Sequence, residues 1–321
     1  MLCSLVFTNC AIKSNTPISN TGFYFDTIIT ITLYGGDTST LFKGCNSLCE
    51  KYENLFSTTV SGSDIWNINH AGGQTVTVNP ETAYLVNEAL SYCKLSDGAL
   101  DITIEPLSEL WDFDGQSTSD SPVIPTDAAI SNLLTHVDYK KVSVDMRGNE
   151  VTLKDPKAAI TLGCIAKGYI ADKLKDYLTD NSVKNAIINL GGNVLTIGAK
   201  PDGSPFQIGI QRPFDTTGTP ITSVGASDSS VVSSGVYERY FTVDDTLYQH
   251  ILNPKTGYPY SNNLLSVSIL SPTSIEGDGL STTCFVLGLS DATALINSLP
   301  DIDAIFVTDD YEIIDTRTSL N

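Results

Sequence analysis

His250 ends a strand-like segment and is followed by a run of turn-forming residues. The run Asn253-Pro254-Lys255-Thr256-Gly257-Tyr258-Pro259 is too rich in turn formers to lie in a buried core. A histidine placed there can act as a general base, and with an unperturbed pKa of about 6.5 its rate would rise with pH through the neutral range. A structural or merely exposed histidine also fits these residues. His70 and His136 have no comparable setting and are expected at the surface.

A glycine-bounded turn, Gly163-Cys164-Ile165-Ala166-Lys167-Gly168, leads into a predicted helix. Glycine lets backbone groups approach a ligand without side-chain obstruction, and a helix N-terminus favours a phosphate group. Lys167 would add a point charge at the same place. The alternative is an ordinary tight turn with a solvated lysine, because glycine also marks simple turns.

Asp278 and Thr282 lie four residues apart in a predicted helix. Residues at that spacing share one helix face, so their oxygens form a reasonable pair of hard ligands for Mg²⁺. A helix N-cap or a solvated carboxylate also explains Asp278.

The charge of the chain restricts its partners. The 321 residues include 37 Asp and Glu against 18 Lys and Arg, which gives a formal net charge of −19. Non-specific attraction to nucleic acid or to anionic lipid is therefore not expected. An acidic protein that handles a phosphorylated ligand must recruit a divalent cation or use backbone amides. The sequence contains no Walker loop, dinucleotide fingerprint, nucleophile elbow or zinc-protease motif.

The predicted helices and strands that must position these residues do not follow a regular βαβ order. Periodicity and turn signals predict helices through Cys45, from Pro80 to before Ser96, and over 166–178, 274–287 and 291–298. Predicted strands cover 23–34, 139–144, 150–153, 185–190, 206–210, 239–243, 247–251 and 264–270. The expected fold is α+β, with a mixed, mostly antiparallel sheet and packed helices. We expect a tail over 1–20 and a single domain over 21–321.

The seven cysteines do not suggest a disulfide framework, because their number is odd and the chain is large enough to fold without one. Cys45 and Cys49 lie in the apolar stripe of one predicted helix, and Cys93 lies in that of the next. These three thiols are predicted to be buried and free. A zinc site would need cysteine pairs with histidines nearby, which the sequence lacks.

The N-terminus resembles the end of a bacterial lipoprotein signal. An apolar run reaches Cys10 and a Ser/Asn/Thr spacer follows, so Cys10 would be the lipidated residue. The basic segment that usually begins such a signal is missing, and Asn9 is large for its position. An ordinary chain start is the alternative.

Six ordered motifs resemble those of the ApbE family, the FAD:protein FMN transferases. Residues 250–259 are similar to the family signature His-Ile-(Ile/Leu)-Asp-Pro-(Arg/Lys)-Thr-Gly-x-Pro, and residues 98–107 resemble its Gly-Ala-Phe-Asp-x-Thr-x-x-Pro-Leu segment. The other matches lie at 163–168, 189–192, 234–240 and 278–282. The resemblance extends over about 23–288 and implies the T-fold-like architecture of that family.

The resemblance also implies site residues. Asp278 and Thr282 would ligate Mg²⁺ with the backbone carbonyl of Cys164, and His250 would be the base. Phe25, Thr161 and Cys164 depart from the family pattern, in which methionine, an acidic residue and Gly or Ala are usual. The residues expected to contact FAD are Phe25, Asn69, Ala99, Leu100, Asp101, Thr161, Lys167, Ser234, Gly235 and Ile251.

The reaction implied by the resemblance is attack by a threonine hydroxyl of an acceptor flavoprotein on the FMN-side phosphorus of FAD, with release of AMP. If water takes the place of threonine, the same site would be a Mg²⁺-dependent FAD pyrophosphatase. A third hypothesis is that the protein is a lipoprotein that binds flavin without catalysing a reaction. A lipid anchor at Cys10 would place the protein on the extracytoplasmic face of a bacterial cell membrane; without the anchor it would be soluble.

Overall fold

The computed structural model describes residues 16–35, 38–215 and 217–317. Its strands are β1 (Pro17–Tyr24), β2 (Thr27–Tyr34), β3 (Thr75–Thr77), β4 (Val142–Asp145), β5 (Glu150–Leu153), β6 (Ala186–Leu190), β7 (Asn193–Ile197), β8 (Phe206–Gln211), β9 (Pro220–Ala226), β10 (Ser230–Gly235), β11 (Tyr240–Val243), β12 (Thr246–Gln249), β13 (Leu264–Ser271), β14 (Asp303–Thr308) and β15 (Ile313–Asp315). Its helices are α1 (Thr38–Phe56), α2 (Asp64–Asn69), α3 (Pro80–Leu95), α4 (Glu105–Trp111), α5 (Phe113–Ser117), α6 (Asp127–Leu134), α7 (Ala166–Asp180) and α8 (Ser274–Asn297).

The main sheet has eight strands in the order β1-β2-β6-β7-β10-β13-β14-β15, and every neighbouring pair is antiparallel. Helices α7 and α8 pack against each other and against strands β6, β7, β10 and β13. The α+β fold with a mostly antiparallel sheet is therefore confirmed. The first strand begins at Pro17, inside the stretch that the sequence assigned to a tail.

The predicted long strand over 23–34 is wrong, because the chain reverses within it. Phe25 and Asp26 have φ values of 54° and 55°, and β1 pairs with β2 across this two-residue turn. A two-residue hairpin turn of type I′ needs positive φ at both central positions, which is usually signalled by Asn-Gly or Asp-Gly. The turn residues here are Phe25 and Asp26, so this sequence signal is absent.

Helix α3 begins where the sequence predicts. Pro80 occupies its first turn, and the Asn79 side chain accepts a hydrogen bond of 2.9 Å from the Glu81 N–H. Cys93 is fully buried on this helix, and Cys45 and Cys49 are buried on α1. All five cysteines in the described part of the chain are free thiols, as predicted for these three. Cys10 and its proposed lipidation lie outside the described residues.

Helix α8 carries the candidate metal ligands and lies in the core. Asp172 of α7 caps it, since its two carboxylate oxygens accept hydrogen bonds from the N–H groups of Ser274 (2.8 Å) and Ile275 (2.9 Å). Gly288 has non-helical angles and divides α8 into two parts, which agrees with the two helices predicted here. Length and composition would let α8 cross a membrane, but 56% of its apolar window is buried inside the fold, as in a core helix of a globular protein.

Candidate active site

The site is built where α7 crosses α8. The N–H of Gly168 donates a hydrogen bond of 2.7 Å to Oδ2 of Asp278. The helices are so close that a Cβ atom at position 168 would lie 2.3 Å from the carbonyl oxygen of Ser274 and 2.7 Å from Cβ of Asp278. Glycine is required here for helix packing, which explains the glycine that ends the predicted phosphate turn.

Asp278 is a buried carboxyl group, 4% exposed. Burial raises its pKa, while the charge of Lys167 and hydrogen bonds from the backbone of Gly168 and Lys167 act in the opposite direction. A buried carboxylate of this kind gains from a cation placed beside it. The position therefore suits a metal ligand better than the helix cap considered from the sequence, because Asp278 lies inside α8 and Asp172 supplies the cap.

Two more oxygen donors lie near Asp278. Thr282 follows one turn later on α8, and its hydroxyl is 3.1 Å from Oγ of Ser234 on β10. Cys164 lies in the turn before α7, and the charge of Asp278 contributes, after burial, to raising the pKa of its thiol to about 12. The backbone carbonyl of Cys164, which the family resemblance implies as the third donor, stays a prediction.

This donor set could hold a hard divalent cation. In the described part of the chain no group of three or more His, Cys, Asp or Glu side chains has metal-binding geometry. A carboxylate, a hydroxyl and a carbonyl are instead the oxygen ligands that Mg²⁺ accepts, with water and substrate phosphate completing its shell. The residues present thus fit Mg²⁺ and do not fit zinc.

Lys167 is the cation of the site. Its charge acts on the pKa values of Cys164, Glu238, His250 and Asp278, so its ammonium group lies within electrostatic range of all four. None of the seven ion pairs in the described ranges involves Lys167. The ammonium group can therefore bind a phosphate.

His250 lies just beyond β12, beside the same lysine. Burial, together with the charges of Arg239 and Lys167, lowers its pKa to about 4. Its Nδ1 atom is buried and has no hydrogen-bond partner in the described structure. A pKa this low places the change of protonation below the neutral range, so we now expect the imidazole to be neutral at pH 7 and the rate not to rise through that range.

Gln249 holds the backbone beside His250, and no sequence motif singled it out. Its side chain accepts a hydrogen bond of 2.6 Å from the Ile251 N–H and donates to the carbonyl oxygens of Ile251 (3.2 Å) and Tyr260 (3.1 Å). The residue is 2% exposed. Gln249 therefore holds both ends of the loop that follows the histidine.

The loop 253–259 is anchored against the segment near residue 100. The Nε1 of Trp111 donates a hydrogen bond of 2.8 Å to the Gly257 carbonyl, and Gly257 has a φ of 74°. A Cβ atom at Gly257 would lie 2.4 Å from Ile130. The hydroxyl of Tyr260 donates to the carbonyl of Ala99 at 2.8 Å. The glycine of the loop and the neighbouring side chains thus hold the loop in one conformation.

Asp101 shapes the segment at 98–105. One of its carboxylate oxygens accepts hydrogen bonds from the N–H (2.8 Å) and hydroxyl (2.6 Å) of Thr103, and the other accepts from the N–H of Tyr139 (2.9 Å). Asn69 plays a similar part, because its side chain makes two hydrogen bonds with the backbone of Ile160 (2.7 and 2.9 Å). Both residues hold their own segments in place by these hydrogen bonds, and their contact with FAD remains a prediction.

The other residues expected to contact FAD are dispersed. Phe25 occupies the β1–β2 turn, where its N–H donates to Glu53 at 2.9 Å. Ile251 is buried in the core with Val236 and Leu264. Ala99, Leu100, Thr161, Ser234 and Gly235 lie on the segments described above, and their contacts with FAD are untested predictions.

Glu105 is a buried carboxyl group that the sequence did not single out. Burial is the main cause that raises its pKa to about 7, against hydrogen bonds from Thr58 and Thr161 and the charge of Arg239. It can therefore hold a proton near neutral pH beside Thr161. His136 also differs from expectation: it is half-buried, and its Nδ1 lies 3.0 Å from Oδ2 of Asp155.

The α+β fold thus brings a buried carboxyl group, Asp278, and an imidazole, His250, within electrostatic range of the same lysine, Lys167. The sequence model of the ApbE family matches residues 25–306. The chain therefore belongs to the ApbE family, and the resemblance found from the motifs is confirmed.

Two relatives show how far the likeness extends. The chain is 38% identical over 289 residues to an FAD:protein FMN transferase of Klebsiella pneumoniae, covering 89% of this chain and 87% of the relative. It is 32% identical over 281 residues to an FAD:protein FMN transferase of Treponema pallidum, covering 83% and 76%. The protein is accordingly an enzyme, a transferase.

Solved structures of this family have the same fold. The ApbE protein of Thermotoga maritima superposes with a TM-score of 0.85 at 30% identity, covering 94% of this chain and 98% of that one. The flavin transferase ApbE of Vibrio cholerae gives 0.81 at 26% identity, covering 94% and 96%.

Proposed function

We propose that this protein transfers FMN from FAD to a threonine of an acceptor flavoprotein and releases AMP, in a Mg²⁺-dependent reaction. The observation that carries the proposal is that Asp278, a buried carboxyl group, and His250, an imidazole with a lowered pKa, both lie within electrostatic range of Lys167. Lys167 forms no ion pair in the described part of the chain. The names of the relatives supply the flavin substrate and the protein acceptor.

Asp278, Thr282 and the carbonyl of Cys164 would hold the metal. When bound, Mg²⁺ supplies neutralising charge for the pyrophosphate, which a protein of net charge −19 otherwise repels. Lys167 would bind a phosphate oxygen of the same substrate. Its charge stabilises the negative charge that accumulates on the phosphoryl group in the transition state.

His250 accepts the proton of the threonine hydroxyl. The hydroxyl oxygen forms a bond to the FMN-side phosphorus, and the bond from that phosphorus to the AMP oxygen breaks. AMP leaves with the bonding electron pair, and the product is a phosphothreonyl ester of the flavin. The lowered pKa of His250 keeps the imidazole ready to accept the proton at neutral pH.

The runner-up activity is FAD hydrolysis to FMN and AMP, in which water replaces the hydroxyl. Threonine-containing synthetic peptides, each paired with a Thr→Val twin, separate the two activities when incubated with FAD and Mg²⁺. Fluorescent labelling of the threonine peptide alone supports transfer, whereas AMP release without labelling of any peptide supports hydrolysis. FAD that binds and stays intact would indicate the non-catalytic alternative.

We also propose that Cys10 carries a lipid that anchors the protein at the extracytoplasmic face of the bacterial membrane. The apolar run before Cys10 supports this proposal. Mass spectrometry of the protein from its native membrane fraction tests it, with Cys10→Ser as the comparison. An unlipidated N-terminus in that fraction would contradict it.

A further inference from the structure

A polar cavity of about 460 Å³ is lined in part by Arg239, whose carbonyl accepts a hydrogen bond from the His250 N–H. One wall consists of five consecutive residues, 238–242, and the opposite wall comes from residues between Asp114 and Pro122. Consecutive residues on one wall mean that the cavity follows the edge of a strand, because side chains alone would contribute every second residue.

That strand is β11, which in the described ranges pairs only with β12. The His250 N–H donates to the Arg239 carbonyl at 3.1 Å, so Arg239 and His250 form a hydrogen-bonded pair that extends the ladder. Hydrogen-bonded pairs alternate along an antiparallel ladder, which places Tyr240 and Thr242 at the non-bonded positions. Their N–H and C=O groups therefore point away from β12, towards the cavity.

The charges of the cavity suit a polypeptide backbone better than a nucleotide. Asp114 and Glu238 both line it, and Arg239 forms an ion pair with Asp114 at 3.3 Å. Two carboxylates against one compensated cation repel a pyrophosphate, whereas a neutral backbone encounters no such penalty.

We propose that the acceptor polypeptide binds in this cavity as an extended strand, paired with the backbone of Tyr240 and Thr242, and so brings its threonine to His250. Thr242 lies three residues from Arg239, about 10 Å along the strand, so a short segment spans the distance. Backbone pairing would provide affinity with little demand on sequence. The inference rests on the proposed transfer of FMN to a protein.

Thr242→Pro tests the pairing directly. The Thr242 N–H is not used in the ladder to β12, and proline is accepted on edge strands where the N–H faces outwards. The variant should therefore fold but raise the KM for the best-labelled threonine peptide by about tenfold or more, since an outward hydrogen bond is lost and the edge is obstructed. FAD affinity should stay at the parental value. Thr242→Val keeps the N–H, and its peptide KM should match that of the parent.

Ser117→Tyr provides a second variant that leaves β11 untouched. Ser117 is exposed on the opposite wall, so the larger side chain fills the cavity. It should also raise the peptide KM, with Ser117→Ala as the matched control. If the peptide KM of both Thr242→Pro and Ser117→Tyr equals that of the parent, the inference is overturned. Labelling of the threonine peptide by the parent would still support the transferase activity in that case. A parallel loss of FAD affinity would overturn it as well, because the cavity would then be a nucleotide site. If the parent labels no peptide, the proposed function fails and this inference fails with it.

Discussion

Oδ2 of Asp278 lies 2.7 Å from the backbone nitrogen of Gly168, and this hydrogen bond joins α8 to the first turn of α7. It fixes the candidate metal ligand against the turn that carries Lys167 and Cys164. The same contact leaves no room for a side chain at position 168. The packing of α7 against α8 and the position of Asp278 therefore both depend on Gly168.

Gly168→Ala should destabilise the protein by about 1–3 kcal/mol, because the new methyl group meets the backbone oxygen of Ser274 and cannot displace it cheaply. FMN transfer should fall at the same time, since Asp278 is displaced. Gly163→Ala is the matched control: a Cβ there would meet only the Thr161 hydroxyl, at an ordinary 3.6 Å. Thermal unfolding and transfer rates of both variants check the prediction, and equal stability of the two would contradict the packing argument.

Chelation after metal-free dialysis should abolish FAD turnover, and Asp278→Ala should remove both metal dependence and activity. Thr282→Ala should weaken Mg²⁺ dependence less, because a neutral hydroxyl attracts a cation less than a carboxylate does. Mg²⁺ titrations of the transfer rate measure the difference, with Asp176→Ala as an exposed carboxylate control on α7. Parental activity of Asp278→Ala at limiting Mg²⁺ would remove Asp278 from the ligand set.

His250→Asn should lower the transfer rate by about 10²- to 10⁴-fold with little change in FAD affinity, because proton removal and binding are separate tasks. His136→Asn, away from the site, should retain the rate. If His250 only orients its loop, asparagine would preserve most of the activity, and a near-parental rate would exclude it as the base.

The pH profile of the parent provides an independent check of His250. The base must be neutral, and burial together with Arg239 and Lys167 lowers its pKa to about 4. The rate that depends on this group should thus be present above that value and be lost as pH falls through about 4. A rate that still climbs through the neutral range, at saturating FAD and Mg²⁺, would contradict the assigned environment.

Reductant should leave the melting temperature nearly unchanged. Cys45, Cys49 and Cys93 are buried free thiols, and burial raises the pKa of Cys45 to about 12, which keeps that thiol protonated and unreactive. Thermal unfolding with and without reductant measures the effect. A large loss of stability on reduction would show that a disulfide exists.

Local signals in the sequence predicted only about half of the helices and strands, and β7 and β10 in the middle of the main sheet were among those missed. Pro80 begins α3 as expected, and the glycine-bounded turn leads into α7 at Ala166. The hairpin at Phe25 and Asp26 was missed because its positive φ values are carried by residues that rarely mark such turns. The lowered pKa of His250 was also not predicted. It is set by burial and by Arg239 and Lys167, which are close in space but not adjacent in the sequence.

The site itself was predicted as separate motifs, and only the fold could show how they meet. Asp278 and Gly168 are 110 residues apart in sequence. Gln249 and Glu105 escaped notice because a buried polar residue is recognised by its partners and not by its neighbours in the chain. The packing role of Gly168 likewise depends on a helix crossing that no short motif encodes.

The most direct test of the account is to weigh a threonine-containing acceptor peptide and quantify AMP in the same reaction with FAD and Mg²⁺. The account predicts that the peptide gains the mass of one FMN, less water, for each AMP released, and that the Thr→Val twin gains none. Release of AMP and free FMN with an unchanged peptide mass would contradict FMN transfer and identify the protein as an FAD pyrophosphatase.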